Sequence, residues 1–282
     1  MACQAGGVRL CRGGLTRLPG RALGGGVPGV FLQPELQGGA GIVAGRDETA
    51  GGTWLSLAPG GRFAAVTNVR EGGPARPAPA SRGELPVEAL TGPVPASEFA
   101  RHVVDDLDRY GPVNLLAGDL DELWWASNRS TRGPMRLGTG VHGLSNAALD
   151  TPWPKVAGAV QDVRALIGAE RISGPDWSGP LLDLLADRRR APVRHLPRTG
   201  VPLRHEWMLS SRFVRIGRWY GTRSTTAVRM DHHGTIDVVE RTWDARGRVT
   251  GTVPAGIWGG GRPLCQVGRG QVGRGQVGRG SV

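Results

Sequence analysis

Several polar side chains lie where predicted strands end, and their types are suited to holding a polarised oxygen atom. Asn68 closes the run RFAAVTN, Asn146 follows GVHGLS, and Arg223 follows WYGT. Amide and guanidinium groups donate hydrogen bonds, so a set that converges on one cleft stabilises an oxyanion or binds a carboxylate. The other interpretation is that each amide satisfies a local turn, as Asn often does.

A second group of residues is expected to line the same cleft. Asn128 and Arg129 follow the strand-like run LWWAS, and Trp54 opens the run WLSLA. We place these three side chains in a substrate cleft and give the three residues of the preceding paragraph oxyanion or supporting roles. No nucleophile is assigned.

Two glycine-rich motifs and one histidine pair carry no comparable signal. G-x-G-x-x-G occurs at 138–143 and at 268–273. Neither match lies between a strand and a helix, as a dinucleotide site requires. His232 and His233 are adjacent and would point to opposite faces of a strand, so they are poorly placed to bind one metal ion together. We expect no metal site and no required cofactor.

Three predicted hairpins and three predicted helices must position these side chains. The first hairpin turns at 58–61, the second spans 113–128, and the third spans 224–243. Helical spacing occurs at 97–109, 155–169 and 180–188. Antiparallel hairpins with helices between them favour an α+β domain over a parallel βαβ sheet.

Composition divides the chain into three parts. Residues 1–41 are a glycine- and arginine-rich segment that we expect to be poorly ordered, with a strand or two at most. Residues 42–255 form the predicted domain, and residues 256–282 form a low-complexity tail with three copies of QVGRG. The two ends account for +7 of the net charge of +11, which leaves +4 on the domain. We therefore expect no specific nucleic-acid binding by the domain.

Other features predict an intracellular protein. No run of 18 apolar residues is present, so we expect no membrane span. The first 30 residues lack the apolar stretch of a secretory signal. The three cysteines, Cys3, Cys11 and Cys265, are too few for a disulfide framework. These observations together predict a cytoplasmic protein with a small-molecule ligand.

Six segments in order resemble the NRDE family, that of transport and Golgi organisation protein 2. They are GRDETAGGTWL (45–55), GRFAAVTNVRE (61–71), SRGEL (81–85), ASNRS (126–130), GLSNAALDTPWPKV (143–156) and YGTRSTT (220–226). The resemblance covers about residues 42–245. It implies an αββα sandwich like that of N-terminal nucleophile (Ntn) hydrolases, with two antiparallel sheets between helical layers.

The resemblance also implies roles for the strand-end residues. In related cysteine amidases, an Asn at a strand end donates to the oxyanion and a late Arg supports the nucleophile. Asn146 resembles that Asn, Arg223 resembles that Arg, and Asn68 is a second candidate donor. The implied chemistry is attack of a thiolate on an amide, with the chain's own α-amine as proton acceptor.

The amino-terminal segment departs from the family pattern. Members begin Met-Cys, whereas this chain begins Met1-Ala2-Cys3 and contains no Asn-Arg-Asp-Glu segment. The sequence GRDE at 45–48 leads into TAGGTW and so matches a later family segment. The family's first strands therefore have no recognisable match in residues 1–41, and Cys3 lacks a free α-amine.

Two function classes remain. The first is a protein that handles haem or acyl- and lipid-type metabolites in its cleft without efficient catalysis, haem being suggested by the resemblance alone. The alternative is an Ntn-type cysteine amidohydrolase or acyltransferase acting on C–N amide bonds. Whether the chain is an enzyme stays open at this point.

Overall fold

The structure of the protein is a computed structural model. It describes backbone and side chains for residues 41–45, 52–73, 78–106 and 108–254. For residues 2–6, 32–35, 255–259 and 262–263 it describes the backbone alone. The repeats at 266–280, and the predictions made for them and for most of residues 1–41, lie outside the described residues.

The described elements are thirteen strands, five α-helices and two short 3-10 helices at Arg82–Glu84 and Val193–His195. The strands are β1 (Ala2–Gly6), β2 (Leu32–Glu35), β3 (Ile42–Gly45), β4 (Leu55–Ala58), β5 (Arg62–Asn68), β6 (Val113–Gly118), β7 (Leu123–Ser127), β8 (Met135–Arg136), β9 (Arg215–Ile216), β10 (Tyr220–Met230), β11 (Ile236–Trp243), β12 (Val249–Gly259) and β13 (Arg262–Pro263). The helices are α1 (Leu85–Thr91), α2 (Ala96–Asp105), α3 (Pro154–Gly168), α4 (Ser178–Leu185) and α5 (Leu203–Met208).

All strands pair antiparallel, in two sheets. Strands β2 to β8 form a seven-stranded sheet in chain order, which is a meander. The second sheet has the order β1-β10-β11-β12-β13, with β9 added beside β10. In this second sheet β1 pairs with the late strand β10, so Cys3 lies opposite Thr226 in the register.

The three predicted hairpins are confirmed, and their turns have local causes. Gly60 and Gly61 both have positive φ, 78° and 75°, a region that glycine enters without a steric penalty. In the β10–β11 turn the Asp231 carboxylate accepts hydrogen bonds from the backbone N–H groups of His233 and Thr235, both at 2.9 Å. These turns set the register that carries polar residues to the strand ends.

Packing arranges the elements in four layers. Leu55 and Leu57 of the seven-stranded sheet pack against Val228 and Val238 of the other sheet, which forms the central core. The opposite face of the seven-stranded sheet is covered by α1 and α2, and the opposite face of the second sheet by α3 and α4. The predicted α+β sandwich of two antiparallel sheets is therefore confirmed.

One helix is shorter than its pattern predicted. Helical spacing extended to residue 109, but α2 ends at Asp105. The next residue, Asp106, has φ −108° and ψ 68°, outside the helical region. Asp105, Asp106 and Asp108 bring negative charge to the negative end of the helix dipole, and this disfavours continuation.

Candidate functional site

The motif GLSNAALD forms a closed loop between β8 and α3. The N–H of Gly143 donates to Asp150 Oδ1 at 2.7 Å, and the N–H of Asp150 donates to the Gly143 carbonyl at 2.8 Å. A Cβ atom at Gly143 would lie 2.6 Å from Val156 Cγ1 on α3, so the loop packs too closely there for any side chain. The second carboxylate oxygen of Asp150 is 2.8 Å from His142 Nδ1.

A polar network ties this loop to the end of the seven-stranded sheet. The fully buried Asn114 donates from Nδ2 to Thr67 Oγ1 at 3.1 Å and to the Ala147 carbonyl at 2.9 Å. The Thr67 hydroxyl in turn donates to the Ser145 carbonyl at 2.8 Å. The network therefore satisfies the backbone on both sides of Asn146 and fixes its position.

Asn146 and Asn68 are neighbours, although they are far apart in sequence. Asn146 Nδ2 donates to the Asn68 carbonyl at 2.9 Å, and the Asn146 carbonyl accepts from the Arg70 N–H at 2.7 Å. One Nδ2 hydrogen of Asn146 remains, since an amide carries two donors. The Asn68 side chain makes no hydrogen bond to the residues that the structure describes. Two of the three predicted donors thus lie side by side, and their catalytic roles stay predictions.

Beside these amides lies a charged cluster to which the sequence analysis assigned no role. Arg70 Nη1 is 2.6 Å from Glu206 Oε2 on α5, and the Glu206 side chain is 1% exposed. Glu206 Oε1 accepts from Thr199 through its N–H at 2.9 Å and its hydroxyl at 2.6 Å. The Arg70 guanidinium also stacks over the Trp153 ring at 5.0 Å.

Lys155, in the first turn of α3, is the second cation of this cluster. Its Nζ donates to the Leu209 carbonyl at 3.2 Å and lies 5.8 Å from the centre of the Trp153 ring. Burial, together with the nearby Arg70 charge, lowers the pKa of Lys155 to about 7, and Glu206 opposes that shift. Glu206 is thus ion-paired with Arg70, whereas Lys155 forms no ion pair with the described residues.

The sequence did contain a signal for these residues. Arg70 follows Asn68 by two positions within the matched segment GRFAAVTNVRE. Lys155 closes TPWPK and is the only lysine of the chain. Glu206 carried no such signal, because its partners lie in other segments and a glutamate in a short amphipathic stretch is ordinarily a solvated residue.

The three residues predicted to line a substrate cleft, Asn128, Arg129 and Trp54, make separate contacts. The Asn128 amide accepts from the Val113 N–H at 2.9 Å and donates to the carbonyls of Tyr110 at 3.0 Å and Gly111 at 3.2 Å, which secures the chain before β6. Arg129 pairs with Glu71 at 3.0 Å, so it reaches the segment that carries Arg70. Their roles in a substrate cleft stay predictions.

Trp54 precedes β4 at the same end of the sheet as Asn68, and its carbonyl accepts from the Val66 N–H at 2.9 Å. Its indole packs against the core between the two sheets, and a Cβ atom at Gly45 would be 2.6 Å from the ring. Its Nε1 is buried and has no hydrogen-bond partner in the described part of the chain. Trp54 therefore contacts the inter-sheet core rather than the Asn146 loop.

Arg223 lies on β10, where β1 has an irregular register. Gly6 pairs with Thr222 and Ala5 with Ser224, so Arg223 falls at the irregularity. It is half-buried and makes no ion pair with the described residues. It forms no hydrogen bond with Asn146, and its supporting role stays a prediction.

A second buried carboxylate lies on the same sheet. Glu240 is 1% exposed and pairs with Thr226 in the β10–β11 register. Its Oε2 accepts from the Thr226 hydroxyl at 3.0 Å. Burial raises the pKa of Glu240 to about 7, and the hydrogen bond from Thr226 opposes the rise. Cys3, Thr226 and Glu240 thus occupy one cross-strand row of the backbone.

Two surface depressions lie away from these groups. One, of about 380 Å³, is lined by Arg62, Asp119 and residues 92–96, at the end of β5 opposite to Asn68. The other, of about 320 Å³, lies between α1 and α2. Neither contains converging donors of the kind found near Asn146, so we take the charged cluster as the candidate site.

The described residues include neither a metal-binding cluster nor a helix able to span a membrane. No group of three or more His, Cys, Asp or Glu side chains there is arranged to hold a metal ion. Among the described helices, of which α3 has 15 residues, none combines the length and apolarity needed to cross a bilayer.

Comparison with known proteins agrees with the family motifs of the sequence. Residues 34–245 match the protein family described as Transport and Golgi organisation 2. The chain is 31% identical over 204 residues to the Transport and Golgi organization protein 2 homolog of Homo sapiens, which covers 68% of this chain and 72% of that protein. The Bos taurus protein of the same name is 30% identical over 204 residues, with the same coverage.

The chain therefore belongs to the Transport and Golgi organisation 2 family. The Mus musculus homolog, 30% identical over 205 residues, agrees with this. The family match begins at residue 34, within β2, whereas the resemblance seen in the sequence begins at about residue 42. The predicted family is confirmed.

Proposed function

We propose that this protein binds a small acyl- or carboxylate-bearing metabolite at the charged cluster beside Asn146, without efficient catalysis. The observation that carries the proposal is the buried Lys155 amine, which forms no ion pair with the described residues because the nearby Glu206 carboxylate is paired with Arg70. A ligand carboxylate in this place would pair with Lys155 and favour its charged form. The Asn68 amide and the second Nδ2 hydrogen of Asn146 would supply neutral donors for a carbonyl or carboxylate oxygen.

The ligand class includes the metabolites expected from the family resemblance. Acyl-type metabolites carry carbonyl groups, and haem carries carboxylates on its propionates. The cluster offers no feature that selects haem, because the groups that support the proposal are donors and cations and not axial ligands. Acyl and lipid-type metabolites are therefore the first ligands to test, with haem beside them.

The test is a calorimetric titration of the full chain with acyl-CoA, a fatty acid and haem. Asn68→Ala removes an amide with no described hydrogen bond, so we expect weaker ligand binding by about tenfold with unchanged thermal unfolding. Lys155→Met removes the second cation and should weaken binding of the carboxylate ligand more strongly. Arg62→Gln, in the depression at the other end of β5, is the matched control. If Arg62→Gln weakens binding and Asn68→Ala does not, the ligand binds in that depression and the proposed site is wrong.

The alternative is a cysteine amidohydrolase, and one backbone feature favours it. Cys3 shares a cross-strand row with Thr226 and Glu240, and its sheet also carries Arg223. In that chemistry the thiolate would attack the amide carbon, the C–N bond would break with proton transfer to the amine, and water would hydrolyse the thioester. The nitrogen of Cys3 is acylated by Ala2, so Glu240 would have to replace the α-amine as proton acceptor.

An amide-hydrolysis screen distinguishes the alternative from the proposal. We expect the unmodified chain to show little or no hydrolysis, with ligand binding intact. Hydrolysis that is abolished by Cys3→Ala and reduced by Glu240→Gln would favour the enzyme. Asn68→Ala should then lower kcat rather than raise KM, because an oxyanion donor acts mainly in the transition state.

A further inference from the structure

The outer face of α5 presents apolar side chains beside unpaired arginines. Leu203 is 54% exposed and Trp207 is 40% exposed. They are four positions apart and so lie on one face of the helix. Glu206 lies on the adjoining, buried side of the helix, where its side chain is 1% exposed and pairs with Arg70. One short helix therefore separates the candidate site from this exposed face.

Neighbouring segments extend this face into a larger surface. The Arg190 guanidinium stacks on Trp207 at 4.1 Å. The Ala191 N–H donates to Ser210 Oγ at 2.9 Å, which holds the segment of Val193 and Arg194 beside the end of α5. We call the resulting set the Trp207 surface. It comprises Arg190, Val193, Arg194, Leu203, Arg204 and Trp207.

The positive charge of the domain is concentrated in this region. Residues 186–219 contain nine arginines and two acidic residues, a net charge of +7. Because residues 42–255 carry only +4, the rest of the domain is net negative. Arg190, Arg194 and Arg204 are all exposed and form no ion pair with described residues. The charge is therefore free to act on a partner.

We infer that the Trp207 surface binds anionic lipid bilayers peripherally. Exposed tryptophan and aliphatic side chains enter the boundary between headgroups and acyl chains, and flanking arginines pair with anionic headgroups. Single exposed apolar residues are ordinary, but Leu203 and Trp207 share one face of α5, and Val193, 56% exposed, lies in the segment that the Ala191–Ser210 hydrogen bond ties to the end of that helix. Exposed apolar side chains flanked by arginines are the composition of a segment that lies at a membrane surface.

A nucleic acid fits this surface less well. Arginines suit its phosphates, but Leu203 and Val193 have no complementary group on a sugar-phosphate backbone. Arg190 already covers one face of Trp207, which leaves a poorer platform for base stacking. Charge favours any polyanion, whereas the aliphatic side chains favour lipid.

The test is sedimentation of the full chain with vesicles of phosphatidylcholine, alone or with part of it replaced by phosphatidylglycerol. We expect at least about tenfold tighter binding to the anionic vesicles, declining as NaCl is raised. The triple variant Arg190→Gln, Arg194→Gln, Arg204→Gln should lose about a hundredfold in affinity, because each arginine near an anionic surface contributes roughly fivefold. The double variant Leu203→Ser, Trp207→Ser should lose about tenfold.

Leu120→Ser is the matched control. Leu120 is 41% exposed but lies in an acidic turn with Asp119, Asp121 and Glu122, so vesicle binding should be unchanged. Unchanged thermal unfolding of every variant shows that the fold is kept. Vesicle binding that survives both sets of substitutions belongs to the arginines of the terminal segments and overturns the inference. RNA binding is measured on the same variants. If the triple variant loses RNA binding while the double variant keeps full vesicle binding, the arginines bind polyanions in general and the inference is wrong.

Discussion

Two glutamates of this protein are equally buried and are accommodated in opposite ways. Glu206 and Glu240 are each 1% exposed. Glu206, at the candidate site, is paired with Arg70 and accepts two further hydrogen bonds from Thr199. Glu240, between the sheets, accepts one hydrogen bond from the Thr226 hydroxyl and has no described ion pair, and burial raises its pKa to about 7.

The two environments differ in whether they stabilise a charged carboxylate. A buried carboxylate is tolerated when a cation and enough donors compensate for lost hydration, and otherwise it takes up a proton. The Glu206 environment therefore stabilises a charged group next to the Asn146 loop. The Glu240 environment instead places a group that gains and loses a proton near neutral pH in the sheet that contains β1.

Replacement of Arg70 should have the largest effect on stability. Arg70→Met leaves the Glu206 carboxylate buried without its cation, and we expect a loss of about 3–5 kcal/mol in the free energy of unfolding. Urea unfolding at neutral pH measures it. The control is Arg129→Met, which breaks the more exposed pair with Glu71 and should cost no more than about 1 kcal/mol. Equal losses in the two variants would contradict the distinction between the pairs.

Glu240→Gln tests how the buried Glu240 carboxyl, which has no described cation beside it, makes the stability of the protein depend on pH. The pKa of Glu240 is raised from 4.5 to about 7 in the folded state, so the folded protein binds more protons than the unfolded chain within that range. Its contribution to stability is complete below the unfolded pKa and is lost as pH rises through about 7. The loss should reach about 3 kcal/mol and be absent in Glu240→Gln. Parallel stability curves for parent and variant between pH 4 and 8 would refute this.

Thr199→Val tests the hydrogen bond that the Glu206 carboxylate accepts from the Thr199 hydroxyl. It removes a hydroxyl that donates at 2.6 Å to a carboxylate paired with Arg70, while the Thr199 N–H remains. Hydrogen bonds to charged groups contribute more than neutral ones, so we expect a loss of about 1.5–3 kcal/mol. Urea unfolding at pH 7 is again the measurement, and a loss below that of Thr226→Val would contradict the reasoning.

Thr226→Val makes the matched change on the Glu240 side and should have the smallest effect. Below pH 6 the Glu240 carboxyl is largely protonated, so the lost bond is neutral and costs about 1 kcal/mol. Because the Thr226 hydroxyl opposes the rise, its removal should move the pKa of Glu240 further up. NMR titration of the Glu240 side chain measures the direction. A downward shift would show that the hydroxyl does not act on the carboxyl as the geometry indicates.

Local features of the fold were predictable because their causes are local. The turns at Gly60-Gly61 and at His233-Gly234 depend on glycine and aspartate within a few residues of each other. The α3 helix, predicted at 155–169, runs from Pro154 to Gly168, since a proline is well placed at its first turn. The end of α2 was harder to predict from the sequence. Apolar spacing alone would continue the helix, but the acidic residues near its end disfavour that continuation.

The candidate site was predicted in part. Strand-end position selected Asn68 and Asn146, and the structure brings them into contact across 78 positions of sequence. Only Asn68 ends a strand, because the run before Asn146 is a loop, and the prediction was also wrong for Arg223, which lies within β10. The same rule selected Asn128, whose amide is used on backbone groups before β6. Position at a strand end does not reveal whether an amide faces a neighbouring backbone or an open space.

By itself, the sequence determined the α+β class, the three hairpins, the family motifs and the concentration of arginines before β10. These depend on residue types and short spacings, which survive without knowledge of the fold. Only the tertiary structure decided that Arg70 meets Glu206 across 136 positions and that β1 lies against β10. Such partners are selected by the shared exclusion of water from a packed interior, and no local pattern encodes which distant charge will be buried with which.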